Sequence, residues 1–120
     1  MKTVIIGASP NSARYSYRAA GMLTERGYEI VPVGIKKGNI FGKEILDIRT
    51  KPTIESVDTV TLYIGPQHQP AWYDYILSLR PRRVIFNPGA ENPELIQKLE
   101  QAGIDVIEAC TMVMVRTNQY

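Results

Sequence analysis

The chain opens on a short apolar run, Val4-Ile5-Ile6, that meets a small-residue turn at Gly7-Ala8-Ser9. A polar stretch then leads into a helix-like segment, and Gly27 precedes a second apolar run, Glu29-Ile30-Val31-Pro32-Val33. The first run is continuous rather than alternating, as expected of a strand buried on both faces. Gly27 supplies the left-handed residue that commonly ends a helix. Strand, turn, helix and strand in this order make a β-α-β unit. Such a unit joins parallel strands and pulls the rest of the chain toward a sheet covered by helices.

The remaining segments repeat the theme. Asp58 to Ile64 reads as a third strand with β-branched Thr59, Val60, Thr61 and Ile64, ended by Gly65-Pro66. A helix from about Gln69 to Leu79 follows, stopped by Pro81. Arg83 to Phe86 is a fourth strand, and Asn87-Pro88-Gly89-Ala90 is the turn after it. Asn92 caps a helix with Pro93 in its first position and Glu94 in its first turn. Gly103 ends that helix, and Ile104 to Ile107 is a fifth strand. Ser12 to Arg26 is the first helix, capped by Asn11 or Ser12. Gly34 to Lys51 reads as irregular, with a short extended piece around Glu44 to Leu46, and Pro52 to Glu55 as one helical turn. Glu108 to Tyr120 stays unassigned. The expected fold is a single α/β domain over residues 1–120, Rossmann-like and doubly wound. It has a five-stranded parallel sheet in the order 3-2-1-4-5 and helices on both faces.

Composition removes several function classes. One hundred and twenty residues fit one domain, and 44% hydrophobic residues suffice for a core. Fourteen basic against twelve acidic side chains give no electrostatic argument for nucleic acid or for a membrane surface. Cys110 is the only cysteine, so no intramolecular disulfide or cysteine-based metal site forms. No apolar run approaches a membrane span, and no signal peptide is apparent. A cytoplasmic location is the expectation.

In such sheets ligands sit outside the carboxyl ends of the strands, and the turn at Gly7 lies there. A helix start carries unpaired N–H groups and a partial positive charge, which suits a phosphate or pyrophosphate. A nicotinamide dinucleotide fits poorly. Of the three glycines of its fingerprint only Gly7 is present, and Lys36 and Lys37 stand where NAD enzymes place an acid. Two lysines favour a phosphorylated ribose, as in NADP or coenzyme A. No Walker-A loop occurs.

These segments are where the chain resembles the small CoA-binding proteins, whose single domain is similar to the CoA-binding domain of the succinyl-CoA synthetase α subunit. The matching pieces are Val4 to Ser9, Gly27 to Val33, Asp58 to Ile64, Asn87 to Ala90 and Ala102-Gly103-Ile104. Relatives often read Val-Asn-Pro after the second-strand proline, whereas this chain reads Val33-Gly34-Ile35. The resemblance implies a cofactor, coenzyme A or acyl-CoA, and residue roles. Gly7, Ala8 and Ser9 would hold its phosphates through backbone N–H groups and the Ser9 hydroxyl, with Asn11 and Ser12 adding donors. Val33 and Lys36 or Lys37 would flank the adenosine and its 3′-phosphate. Tyr63, Ile64, Gly65 and Pro66 would wall the adenine or the start of the pantetheine arm. Asn87, Pro88 and Gly89 would lie near the thiol.

No catalytic constellation is visible in the sequence. His68 has no evident carboxylate partner and reads as a surface histidine. Cys110 reads as a small core residue, Trp72 and Ile76 as a core stripe, and Arg80, Arg82 and Arg83 as solvated charge. The expectation is therefore a binding module without its own catalytic machinery, taking a small-molecule nucleotide ligand. Two protein partners are compatible with it: a second copy of the chain, and a separate synthetase-like subunit. The alternatives are an NADP-dependent reductase and a ligand-free interaction protein. The segment Thr111 to Tyr120 is either a dimer contact or a cover for the ligand.

Overall fold

The computed structural model describes residues 1–120. Six parallel strands form one sheet: β1 (Lys2–Ile6), β2 (Glu29–Gly34), β5 (Leu46–Asp47), β6 (Val57–Leu62), β7 (Arg83–Phe86) and β8 (Asp105–Glu108), in the spatial order β5-β2-β1-β6-β7-β8. Two further short strands, β3 (Asn39–Ile40) and β4 (Lys43–Glu44), make a separate antiparallel hairpin.

The sheet corrects the expected one in strand number and in arrangement. The strand expected third, here β6, lies directly beside β1, pairing Ile6 with Leu62. The edge beyond β2 is taken by β5, which contributes only Leu46 and Asp47. Two residues carry no periodicity, so nothing in the sequence marks them as a full strand. The point at which the winding reverses therefore falls between β1 and β6. This brings the Gly65-Pro66 loop beside the Gly7 turn.

The helices divide between the two faces. α1 (Tyr15–Glu25) and α4 (Thr111–Arg116) cover one face, where Ile5, Ala20, Leu23, Ile30, Ile40 and Val115 form a buried cluster. α2 (Tyr73–Ser78) and α3 (Pro93–Gln101) cover the other, with Val4, Ile6, Leu62, Ile76, Phe86, Leu95 and Leu99 in the larger cluster. β1 supplies both clusters by alternation, Val4 and Ile6 to one and Ile5 to the other, which is why its last three residues are all apolar. Each fully buried Ile or Leu contributes about 2 kcal/mol through removal of apolar area from water.

Element ends differ from expectation where local hydrogen bonding decides. α1 starts at Tyr15, and its cap residue Arg14 makes no side-chain cap bond. The Asn11 carbonyl side chain instead accepts from the Ala13 amide at 2.9 Å, forming a turn before the helix. The helix expected from Gln69 is preceded by a 3₁₀ turn at Pro66–His68, begins as a second one at Pro70–Trp72, and becomes α-helical at Tyr73. Pro66 and Pro70 each lack the N–H that a continuous ladder needs. Pro52 to Glu55 is not helical; the 3₁₀ turn lies just before it, at Ile48–Thr50. Asn92 caps α3 as expected, accepting from the Glu94 and Leu95 amides. Gly27 and Gly103 have positive φ, 83° and 78°, after α1 and α3.

The arginines expected to be solvated charge, Arg80, Arg82 and Arg83, are not all solvated. Arg83 is 6% exposed; its Nε donates to Thr59 Oγ1 at 2.9 Å and its guanidinium lies 4.5 Å from the centre of the Tyr120 ring. Tyr120 in turn hydrogen-bonds Thr3 and packs edge-on against Tyr28. The C-terminal segment thus closes the bottom of the sheet. No helix is long and apolar enough to cross a membrane.

Candidate functional site

The carboxyl ends of the strands line up, since Ile6 pairs with both Val33 and Leu62, and Leu62 with Phe86. The loops that leave them enclose a cleft of about 900 Å³. That is within the range of pockets that hold a cofactor-sized ligand. Its walls come from the β1–α1 loop, the end of β2, the loop after β6 and the loop after β7.

Gly7 sets the floor. Its φ is +95°, and a Cβ there would come within 3.0 Å of Ile64 Cγ2 and of the Tyr63 carbonyl carbon. Only glycine satisfies both the backbone conformation and the approach of the β6 loop. Gly34 is constrained from another direction, because a Cβ would lie 2.8 Å from the Ala8 carbonyl oxygen. This contact gives the departure Val33-Gly34-Ile35 its physical reason: the end of β2 is pressed against the β1 turn.

Of the residues singled out in the sequence, Gly7, Ala8, Ser9, Lys36, Tyr63, Ile64, Gly65, Pro88 and Gly89 line the cleft. Val33 is fully buried beneath it, and its carbonyl accepts from both the Gly7 and Ala8 amides, at 2.9 and 3.1 Å. These two N–H groups are therefore spent within the protein, a correction to their expected role as phosphate donors. Asn11 and Ser12 are exposed outside the cleft wall, and Ser9 Oγ accepts from the Asn11 amide. Pro66 also stands outside the wall. Lys37 lines a second, smaller cleft beside the first.

Asn87 is a buried strut, not an open ligand group. Its Nδ2 donates to Thr61 Oγ1 at 2.6 Å and to the Leu62 carbonyl at 2.8 Å, and its Oδ1 accepts from the Thr111 amide at 2.9 Å. The bonds tie β6, β7 and the start of α4 together. Gln69 does the same on the opposite side. Its Nε2 donates to the Ile64 and Ala90 carbonyls, and its Oε1 accepts from Asn92 Nδ2, which also donates to the Tyr73 hydroxyl. A fully buried glutamine holds the β6 and β7 loops at a fixed separation across the cleft.

Several lining residues escaped the sequence reading: Arg14, Tyr15 and Ser16 at the start of α1, and His68, Pro70, Ala71 and Trp72 in the loop after β6. The signal that pointed to a helix start at Asn11 or Ser12 was three residues early. At the true start, the amides of Tyr15 and Ser16 have no protein acceptor, and neither does the Ser9 amide. Arg14 stands beside them with no carboxylate partner. Trp72 lines the cleft and also packs against the larger core cluster. His68 is exposed, as expected, yet lies on the cleft wall. Burial pushes the Tyr63 phenol up to about 12, so it is a neutral group at physiological pH, and its buried hydroxyl has no hydrogen-bond partner in the protein. Cys110 is half-buried at the cap of α4 rather than in the core.

Comparison with known proteins adds to this geometry. A family model described as a CoA binding domain matches residues 1–116. A crystal structure of an uncharacterized protein is 52% identical, with a TM-score of 0.96, covering 99% of this chain and 97% of that one. A conserved hypothetical protein from Pyrococcus furiosus is 27% identical, with a TM-score of 0.80 over 93% of this chain and 97% of its own. A protein from Thermus thermophilus, 24% identical over 99% of this chain and 90% of that one, shares the fold with a TM-score of 0.84. No functionally curated protein matches.

Proposed function

The chain belongs to the CoA-binding domain family, and we propose that it binds coenzyme A or an acyl-CoA non-covalently, as a stand-alone module without catalytic machinery of its own. The observation that carries the reading is the cleft. It is large enough for an extended nucleotide conjugate, and it runs past a helix start with open amides. The pyrophosphate is assigned to the Ser9, Tyr15 and Ser16 amides and the Arg14 guanidinium. There the α1 dipole and a full cation act together. The sequence pointed to the Gly7-Ala8-Ser9 turn; of its amides only that of Ser9 is open, the other open donors lie at the start of α1, and Gly7 serves by letting the chain make the approach.

Lys36 lies at the β2 end of the cleft, where the adenosine would sit. Ile64, Gly65, Trp72, Pro88 and Ala90 give the opposite end a largely apolar wall, suited to a pantetheine arm. Gln69 and Asn87 fix the width of this channel through buried hydrogen bonds, so the cleft is preorganised. A cytoplasmic setting and a second copy or a synthetase-like subunit as partner complete the proposal.

A thermal-shift titration with CoA, dephospho-CoA, NADP and NAD at fixed salt tests it. A ligand at a hundred times its Kd adds about 2.7 kcal/mol of stability. The reading expects the melting temperature to rise with CoA. A rise with NADP and none with CoA would replace it by a reductase reading, and no rise with any of the four would overturn it.

A further inference from the structure

The cleft has two chemically different sides. Its cations, Arg14 and Lys36, stand at the start of α1 and the end of β2, whereas the loops after β6 and β7 give it Ile64, Pro70, Ala71, Trp72, Pro88 and Ala90. From Tyr63 to Trp72 and from Asn87 to Asn92, Glu91 is the one side chain that carries a full charge at pH 7, with His68 neutral. We propose that this second side receives the acyl group of an acyl-CoA and selects an uncharged, apolar one, with Glu91 turning away chains that end in a carboxylate. The inference rests on the assignment of a CoA conjugate to the cleft.

The apolar side is fixed in width. Gln69 Nε2 donates to the Ile64 carbonyl at 2.9 Å and to the Ala90 carbonyl at 2.8 Å, so one amide group spans the two loops. The Trp72 amide donates to the Gln69 carbonyl at 2.8 Å, which holds Trp72 on the same strut. Trp72 is half-buried, packed against the larger core cluster and lining the cleft. An alkyl chain entering here exchanges water for apolar contact, and each methylene fully removed from water raises affinity about fourfold. A carboxylate on the same path loses its water and finds no Lys or Arg on these loops.

Glu91 adds a charge of the wrong sign for such a group. The loop after β7 turns through Asn87 to Ala90, with the Ala90 amide donating to the Asn87 carbonyl at 2.8 Å and Gly89 at a φ of +94°. Glu91 curls back on this turn, its Oε1 accepting from the Gly89 amide at 2.8 Å. Pro88, Gly89 and Ala90 line the cleft, so the bond brings a carboxylate against the turn that forms its wall. No Lys, Arg or His nitrogen lies within 4.0 Å of that carboxylate, so no ion pair cancels its charge. It also occupies the Gly89 amide, a donor that an anionic acyl group would otherwise use. Glu91 is exposed, so solvent and salt reduce its repulsion to about a threefold effect. Desolvation at the apolar wall supplies the remainder of the selection, which acts against the wrong ligand as much as for the right one.

Calorimetric titration with CoA, S-butyl-CoA and S-carboxypropyl-CoA tests the assignment. The two thioethers resist hydrolysis and differ by a methyl group against a carboxylate. The titrations are run at about pH 8, above the ordinary range of histidine, so that His68 offers no charge. Wild type is expected to bind S-butyl-CoA about fivefold more tightly than CoA and about tenfold more tightly than S-carboxypropyl-CoA. Glu91→Gln keeps an acceptor for the Gly89 amide and removes the charge. It should bring the tenfold ratio down to about threefold, and high salt should do the same to wild type. Ala71→Lys adds a cation at an exposed position of the wall and should bring the ratio to about one. Equal binding of the two thioethers by wild type, or tighter binding of the carboxylate, overturns the selection and leaves CoA binding standing. A ratio that neither Glu91→Gln nor salt changes overturns the part given to Glu91. Absence of binding by all three ligands overturns the assignment of the cleft itself, and this inference with it.

Discussion

The two ends of the sheet are built from the same strands and treat charge in opposite ways. At the amino ends, charged groups are paired or covered by the fold, although Arg83 Nη2 is buried without a hydrogen-bond partner. Asp58 and Arg82 form an ion pair at 2.9 Å, and Arg83 is buried between Thr59 and the Tyr120 ring. Arg26 donates to the Val115 carbonyl and to Asn118, pinning the C-terminal segment. At the carboxyl ends, Arg14, Lys36 and Lys37 have no carboxylate within 4.0 Å, and the first amides of α1 have no acceptor. Paired groups contribute to folding. Unpaired groups beside a preformed cleft are available to a ligand. The comparison separates the residues that hold the fold from those that serve the site, and substitutions at each end should separate the two readouts.

The largest effect is expected at the closed end. Tyr120→Ala removes a ring that covers Arg83 and packs edge-on against Tyr28, and leaves a buried guanidinium uncovered. A loss of about 3 kcal/mol in urea unfolding is expected. CoA affinity, measured where the variant stays folded, should stay within twofold. A large loss of affinity would join two ends that this account holds apart.

At the open end, the Tyr63 phenol gives a pH dependence. Its value is about 10 in the unfolded chain and about 12 in the fold, raised chiefly by burial. The folded state therefore holds its proton more tightly. The associated stability is fully present below pH 10 and is lost as pH rises from 10 to 12, about 2 to 3 kcal/mol in all. Denaturant unfolding across that range should show the decline, and Tyr63→Phe should flatten part of it.

A pair of glycines tests whether space or backbone conformation governs the floor of the cleft. Gly7 and Gly89 have nearly equal φ, +95° and +94°, but a Cβ meets crowding only at Gly7. Gly89→Ala should cost about 1 kcal/mol for the backbone alone, and Gly7→Ala about 2 kcal/mol. Only Gly7→Ala pushes against the β6 loop, so its CoA affinity should fall further. Equal effects at the two positions would remove the argument for close approach. Arg14→Ala is expected to change stability by less than about 0.5 kcal/mol and to weaken CoA binding about tenfold, near 1.4 kcal/mol.

Much of the fold was legible because it follows from short-range chemistry. Continuous apolar β1, the Asn92-Pro93-Glu94 start and the Gly27 and Gly103 stops each state their own structure. β5 was legible only as part of a short extended piece around Glu44 to Leu46, since its two residues join the sheet edge through their neighbour β2 and by no pattern of their own. α4, six residues long, is also too short for periodicity, and is held through Thr111 to Asn87 and Thr61. The same distinction applies to the site. The Gly7 turn, Lys36 and the Gly65 and Gly89 loops are visible as sequence punctuation. Gln69 reads as a helix start and Asn87 as a ligand contact near the thiol, and only the folded contacts reveal them as buried struts. Arg14 was missed because a helix start was assigned to side-chain caps that bond elsewhere.

Amide chemical-shift mapping on titration with CoA tests the difference between the two ends most directly. Shifts concentrated at Gly7, Ser9, Tyr15, Ser16, Gly65 and Gly89, with Thr3, Arg83 and Tyr120 unmoved, are the result this account predicts. Shifts centred on the Arg83–Tyr120 end, or none anywhere at saturating CoA, would contradict it.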